Sequence, residues 1–204
     1  MIQKIIIVFN IIGVIFCINN NEILSLMNSN AKWKFHSQED DIKVYINNDK
    51  MLPIIKIEKS LSLDYDVSDI FNIILDVSNY NDILSNKKLY SEFLIKEQDT
   101  LYVYQNTHNY IPFIKNRHLV FRLYKYNNFR LEWEIVDTDH LLYHKFNFRR
   151  TKKLKIGAGA WEWNKLPNKN LLVHYLYIDP EIRMPNFILN NIRKKEQVNI
   201  TASN

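Results

Sequence analysis

The stretch that decides how this chain is interpreted is Gly157-Ala158-Gly159-Ala160-Trp161-Glu162-Trp163. It contains two of the three glycines in the 204-residue sequence, and the third is Gly13 in an apolar N-terminal segment. Loops that cradle phosphate groups need several glycines at fixed spacing. We therefore expect no nucleotide-dependent chemistry of the usual kinds, and no cofactor is predicted.

This stretch lies within a long run of segments with strand-like composition. Predicted strands cover residues 88–95, 100–107, 117–126, 130–137, 141–148, 151–156, 159–165 and 170–178. The breaks between them, such as 97–99, 127–128 and 167–170, are rich in turn-forming residues. Two earlier strands, at 42–46 and 54–63, are predicted from alternating apolar residues.

Helical patterns are few. Residues 67–75 carry apolar side chains at the spacing of an amphipathic helix, and Asp66 is the predicted N-cap. Helical spacing returns after Pro180, whereas residues 19–31 are interpreted as a polar loop around a short apolar turn. A run of strands with few helices predicts one antiparallel α+β domain.

The first 18 residues have the pattern of a secretory signal peptide, in which Lys4 precedes an apolar run. We expect a leader at 1–18, a domain at 19–204, and a secreted, periplasmic or other non-cytosolic location. An uncleaved anchor, a lipoprotein and a buried helix are the alternatives. Cys17 is the only cysteine, so intrachain disulfides and cysteine-based zinc sites are excluded.

The composition suits a globular domain with a sizeable core, since 47% of the residues are hydrophobic. The net charge of +5 is a mild excess, well short of the dense basic stripe of a nucleic-acid binder, so no nucleic-acid partner is expected. Basic clusters at 149–155 and 193–195 are interpreted either as solvated or as making transient contact with an anionic membrane surface.

Several motifs occur in an order that resembles the START domain, the lipid-transfer domain related to steroidogenic acute regulatory protein. They are Asp76-Val-Ser-Asn-Tyr80-Asn81, Asn116-Arg117-His118-Leu-Val120, Gly159-Ala-Trp161, and Asp179-Pro180 through Pro185-Asn-Phe187-Ile188-Leu189-Asn190. The resemblance runs from Trp33 to about Asn191. The sequence departs from the family at His118, where the family has an aspartate.

The resemblance implies a helix-grip fold, a curved antiparallel sheet wrapped around a C-terminal helix with an internal hydrophobic cavity. In the family the last motif begins the helix that closes over the lipid. Only 14 residues follow Asn190, so this helix is expected to be shorter than usual.

The predicted ligand-binding residues combine this resemblance with strand alternation. Arg117 lies on the same side of its strand as Leu119 and Phe121, with Gln105 across the ladder. The full set is Tyr104, Gln105, Arg117, Phe121, Trp133, Trp161, Tyr175, Phe187 and Asn190. For the aromatic residues the alternative is ordinary core packing. For Arg117 it is a strand-end arginine that reaches solvent or a structural acid.

The histidines are open to two interpretations. His140 and His144 would face one side of a predicted strand, but no third ligand is anchored nearby, so no metal site is predicted. His174 alternates with Leu172 and Leu176, which indicates a hydrogen-bonded core histidine or, second, a pocket residue.

Together these patterns predict binding and transfer of a hydrophobic ligand such as a lipid. An enzyme would need a positioned acid or base, and no catalytic constellation is visible. The alternatives are a cyclase or hydrolase of the same helix-grip superfamily, and a secreted interaction module without a ligand.

Overall fold

The structure is a computed structural model that describes residues 19–28, 32–47, 53–83, 89–107, 116–137, 140–145 and 151–179. The predicted leader at 1–18 and the predicted closing helix, with Phe187 and Asn190, lie outside the described residues. No helix in these ranges is long and apolar enough to cross a membrane.

A single open sheet dominates the described residues. Its strands are β1 Trp33–Glu39, β2 Ile42–Asn47, β3 Ile54–Leu61, β4 Leu89–Glu97, β5 Thr100–Thr107, β6 Asn116–Asn127, β7 Arg130–Ile135, β8 Thr151–Lys153, β9 Gly157–Leu166 and β10 Lys169–Ile178. The order is β1-β2-β3-β10-β9-β7-β6-β5-β4, and β8 pairs in parallel with the start of β6. All other pairs are antiparallel. The α+β prediction is confirmed.

The described residues include three α-helices and two short 3-10 turns. They are α1 Asn20–Asn28, α2 Val67–Leu75 and α3 Tyr80–Ile83, with short 3-10 turns at Val77–Asn79 and Leu141–Lys145. The predicted amphipathic helix is α2, and its predicted N-cap is confirmed because the Asp66 carboxylate accepts a hydrogen bond from the Ser68 backbone N–H.

Strand β9 separates two cores because its residues alternate between the faces of the sheet. Trp161 and Trp163 pack with α2 in a core that includes Phe121 and Leu131, and we call this side the inner face. Ala158 packs instead with Ile23 of α1, and we call that side the outer face. The small side chains of β9 on the outer face leave room for a helix to lie against it.

Glu162, the charged residue of the stretch 157–163, lies on the outer face and takes part in a chain of ion pairs. Arg130 Nη1 lies 2.8 Å from Glu162 Oε2, and Arg130 Nε lies 2.7 Å from Glu132 Oε1. Arg130 and Glu132 are both buried. Paired charges can be accommodated there, whereas an isolated one would be strongly unfavourable.

Helix α1 replaces the loop predicted at 19–31. Asn19 and Glu22 form a reciprocal capping box, in which each side chain accepts a hydrogen bond from the other residue's backbone N–H. Asn20 also ties the helix to the sheet, since its amide donates to the Ile135 carbonyl and accepts from the Gly157 N–H. The prediction was wrong because the asparagines that suggested a loop are a cap and an anchor.

Three further segments differ from the predicted strands. Strand β1 was not predicted, because it is an edge strand exposed at every position after Trp33 and therefore carries no buried alternation. Residues 141–145 form a 3-10 turn, in which Leu142 and Tyr143 are buried without being in a strand. The predicted strand at 151–156 ends at Lys153.

Candidate functional site

The inner face of the central strands forms the candidate site. The register aligns Val103 of β5 with Phe121 of β6, Trp133 of β7 with Gly159 of β9, and His174 of β10 with Trp161 of β9. Leu172, Leu176 and Ile178 continue the apolar surface of β10 and are only partly buried. The result is a broad apolar surface with a small number of polar groups, which is the usual composition of a ligand pocket.

Glycine at 159 allows the Trp133 indole to lie against the backbone of β9. A Cβ at this position would lie 2.5 Å from Trp133 Nε1 and 2.4 Å from the Tyr175 carbonyl oxygen. Both distances are too short for any side chain, so the requirement here is close approach rather than an unusual φ angle. The indole then meets Phe121 edge-on, with ring centroids 5.8 Å apart.

Helix α2 packs against part of this surface. Phe71 is its buried residue, and Ile70 and Ile74 pack partly against the same core. Ile73, on the far side of the helix, is 53% exposed. The helix therefore presents one apolar side to the sheet and leaves the other to solvent.

His174 lies flat on Trp161, with ring centroids 3.7 Å apart and an interplanar angle of 3°. The residue is partly buried, but its Nε2 atom is fully covered and has no hydrogen-bond partner within the described ranges. Burial lowers the pKa of His174 to about 3, so the imidazole is neutral at physiological pH. The hydrogen bond expected from the sequence is therefore not formed at Nε2 by any of the described residues.

Gln105 belongs to a polar group at the β4–β5 side of the inner face. Its amide Nε2 donates to Ser91 Oγ at 3.2 Å. The Asn81 side chain in turn holds the Ser91 backbone, accepting from its N–H at 2.8 Å and donating to its carbonyl at 2.7 Å. Asn81 was part of a family motif in the sequence, but the side-chain clamp from α3 to β4 could not be foreseen without the pairing of β4.

Arg117 begins the inner-face row of β6, ahead of Leu119 and Phe121, and it is partly buried. Its neighbour His118 faces the other way and is completely buried on the outer face. Burial, and secondarily the charge of Lys153, lowers the pKa of His118 to about 4. A neutral imidazole therefore takes the place where the family resemblance expects a charged carboxylate.

The structure brings together five of the predicted ligand-binding residues and separates two others. Gln105, Arg117, Phe121, Trp133 and Trp161 all lie on the inner face. Tyr104 packs on the outer face with Val120 and Tyr143. Tyr175 also faces outward, with its ring 5.6 Å from that of Trp33.

The reason is the alternation of side chains along a strand. Tyr104 and Gln105 are neighbours and cannot point to the same side, and the same holds for Tyr175 and His174. His174, Leu176 and the small Gly159 are inner-face residues that were not in the predicted set. Alternation counted from Trp161 across the β9–β10 hairpin would have identified them.

A separate depression of about 410 Å³ lies on the outer face between α1 and the β6–β7 hairpin. Its lining includes Leu24, Tyr124 and Glu132. It is shallow and open to solvent, and the buried ion pairs of Arg130 lie beside it. Because it offers little enclosed apolar surface, we do not assign the ligand to it.

His140, one of the two histidines considered as metal ligands, does not lie in a strand. Its Nδ1 accepts a hydrogen bond from the Leu142 N–H, and its ring stacks on Tyr102 with centroids 5.5 Å apart. Across the described segments no three His, Cys, Asp or Glu side chains come together as metal ligands.

No protein-family model matches the sequence, and no curated protein matches it. Solved structures do match. A STAR-related lipid transfer protein fragment from Xanthomonas axonopodis aligns with a TM-score of 0.65 at 16% identity, covering 84% of this chain and 95% of that one. This chain has the START-domain fold.

Two human START structures agree with this assignment. STARD10 aligns with a TM-score of 0.65 at 13% identity and covers 90% of this chain and 77% of its own. StAR-related lipid transfer protein 5 aligns with a TM-score of 0.61 at 12% identity, covering 90% and 89%. At these identities the likeness concerns the fold alone, and the expected curved antiparallel sheet is confirmed.

Proposed function

We propose that this START-fold domain binds a lipid or similar apolar ligand on the inner face of its sheet and carries it between membranes. The observation that carries the proposal is the apolar surface of β9 and β10, where Trp161, Leu172, Leu176 and Ile178 pack at the margin of the core and are only partly buried. Covering such surface with a ligand gains about 25 cal/mol per Å² of apolar area removed from water. The solved structures of the same fold, two of which are lipid transfer proteins by name, support this choice.

In this proposal the domain binds its ligand and does not catalyse a reaction on it. General acid–base catalysis works best when the catalytic pKa lies near the operating pH. The pKa values of His118 and His174 are lowered to about 4 and about 3, so neither imidazole is matched to that role. His174, the one on the inner face, is better suited to neutral hydrogen bonding.

The polar end of the inner face would orient the ligand. Arg117 marks this end, where a polar head group or carbonyl would contact its guanidinium. Two lysines of the basic cluster at 149–155 lie on the strand beside it, since Lys152 and Lys153 of β8 pair with Arg117 and His118 of β6. Transient attraction of this cluster to anionic head groups, at about 1 kcal/mol per basic residue, would favour loading at a membrane.

Cavity-filling substitution tests whether the inner face holds a ligand or is solid core. Leu176→Trp should leave the unfolding midpoint nearly unchanged and remove copurified lipid, measured by native mass spectrometry and lipid extraction of protein made in cells. In a close-packed core the same change would cost about 1–3 kcal/mol. Leu166→Trp, at a position 38% exposed near the end of β9, is the matched control.

Two outcomes would overturn the proposal. One is an absence of lipid from the unsubstituted protein, together with no binding of an added fluorescent lipid. The other is a strongly destabilised Leu176→Trp variant whose folded fraction retains the lipid of the parent.

Export through the segment at 1–18 forms the last part of the proposal. The basic and then apolar pattern supports it. N-terminal sequencing of the protein from its native cell distinguishes a chain that begins near Asn19 from one that retains Met1.

A further inference from the structure

The stacked pair of His174 and Trp161 holds a polar atom at a defined place on the inner face. The two residues are direct cross-strand partners, and their rings are parallel within 3° at a separation of 3.7 Å. A ring held this way has little freedom to turn about its own side chain. Its edge nitrogen therefore has a fixed direction, as a hydrogen-bonding group for a ligand requires.

The Nε2 atom of His174 is buried, and none of the described residues forms a hydrogen bond with it. Buried polar atoms in folded proteins nearly always have a partner, and one without a partner calls for an explanation. The flanking inner-face residues on β10 are Leu172 and Leu176, which have no polar side-chain atoms. A missing partner in apolar surroundings is what a ligand with one polar group would supply.

The chemistry of that group follows from the state of the imidazole. Burial keeps the ring neutral, with its pKa lowered to about 3, so it has one donor and one acceptor nitrogen. A hydroxyl group both donates and accepts, and it can therefore pair with Nε2 in either tautomer. A carboxylate or phosphate would gain no ion pair from a neutral ring and would lose its hydration.

Arg117 is too far away to bind the same group. Across the sheet, His174 pairs with Trp161 of β9, and Trp161 pairs with Leu131 of β7. Leu131 in turn pairs with Lys125 of β6, so these four residues form one cross-strand row. Arg117 lies eight residues before Lys125 on that strand, or about 26 Å at the rise of an antiparallel strand. The two side chains thus mark different ends of the apolar surface.

We propose that His174 is a specificity-determining residue whose Nε2 forms a hydrogen bond with a hydroxyl group of an uncharged lipid, with Trp161 positioning the ring. This rests on the proposed ligand-binding function of the inner face. It adds the ligand class, a hydroxylated neutral lipid, and the place where the hydroxyl lies, at the row of Trp161 and Leu131.

The test compares dodecan-1-ol with dodecane, each delivered from methyl-β-cyclodextrin, in competition with a fluorescent fatty-acyl probe on the full domain. The unsubstituted protein should favour the alcohol by about tenfold, the value of one net hydrogen bond. His174→Phe keeps a flat ring on Trp161 and removes Nε2. It should lose the preference for the alcohol while its affinity for dodecane stays within about twofold.

A measurement on the unsubstituted protein tests the proposal even if the His174→Phe variant does not fold. In the unsubstituted protein, the 15N signal of His174 Nε2 should shift on addition of dodecan-1-ol and remain in place with dodecane. Equal affinity for both probes, or an Nε2 signal that ignores the alcohol, would overturn the role of His174 and leave lipid binding intact. If neither probe displaces the fluorescent one, the proposed function fails with it.

Discussion

At the scale of single residues, two glycines on one strand have different neighbours and therefore different costs of substitution. The nearest atom to a Cβ at Gly159 is the Tyr175 backbone carbonyl at 2.4 Å, whereas at Gly157 it is the terminal methyl of Ile135 at 2.8 Å. A methyl group can turn aside more easily than a backbone strand. Gly159→Ala should lower the free energy of unfolding by about 1–3 kcal/mol and Gly157→Ala by less, as measured by urea denaturation. An equal or reversed ranking would contradict the close approach at Gly159.

Arg117 is predicted to contact the polar head group of the ligand. Arg117→Met keeps much of the apolar stem and removes the charge. It should weaken binding of a lipid with a polar head while leaving a hydrocarbon probe nearly unaffected, as measured by competition against a fluorescent lipid. Equal losses for both ligands would indicate a structural role. No loss for either would show that the guanidinium does not reach the ligand.

At the scale of elements, α1 is part of the fold although it consists of only nine residues. Ile23 is completely buried against Ala158 and Ile54, whereas Ser25 on the same helix is exposed. Ile23→Ala should therefore cost about 2–5 kcal/mol in chemical denaturation, the usual range for truncating a buried isoleucine. Ser25→Ala is the control and should change stability little. If both variants behave alike, α1 does not contribute to the core.

The elements also show what the sequence could predict and why the rest could not be predicted. Residues 67–75 and the strands β5 and β6 carry strong local periodicity, and the structure confirms them. Strand β1 is held by its pairing with β2 rather than by burial of its own side chains, so its composition gave no signal. Leu142 and Tyr143 are apolar because they cover Val120 in a turn, which hydrophobicity alone does not distinguish from a strand.

The same limit applies to the site. Alternation along β6 correctly placed Arg117 and Phe121 on one face, because both belong to one strand. Placing Tyr104 and Tyr175 required knowing whether the odd-numbered or the even-numbered residues of β5 and of β10 point to the inner face. That follows from cross-strand register, which single-strand patterns do not contain.

At the scale of the whole molecule, two neutral histidines, His118 buried and His174 partly buried, make stability depend on pH. The pKa values of His118 and His174 in the folded state, about 4 and about 3, are lower than the unfolded value of about 6.5. Below pH 6.5 the unfolded chain binds more protons than the folded one, so the free energy of unfolding falls as the pH is lowered. The loss should be measurable between pH 6.5 and 5, before most carboxylates titrate.

Thermal unfolding at a series of pH values tests this expectation. His174→Phe should reduce the slope, because one of the two imidazoles with a lowered pKa is gone. His36→Gln, at an exposed position on β1, is the control and should leave the slope as it was. An unfolding midpoint that is constant from pH 7 to 5 would contradict a neutral, buried state for these rings.

The pairing of β3 with β10 also determines when the molecule can be completed. The Lys169 ammonium donates to Ser60 Oγ across 109 residues of sequence, and the Gly157 N–H donates to Asn20 Oδ1 across 137. At translation speeds of about 5–20 residues per second, β3 is made roughly 5–20 s before its partner strand exists. During that interval the N-terminal strands present an unpaired edge and α1 has no sheet to cover. We therefore expect the nascent chain to fold late and as a unit, and to be exposed to chaperones and proteases until β10 emerges.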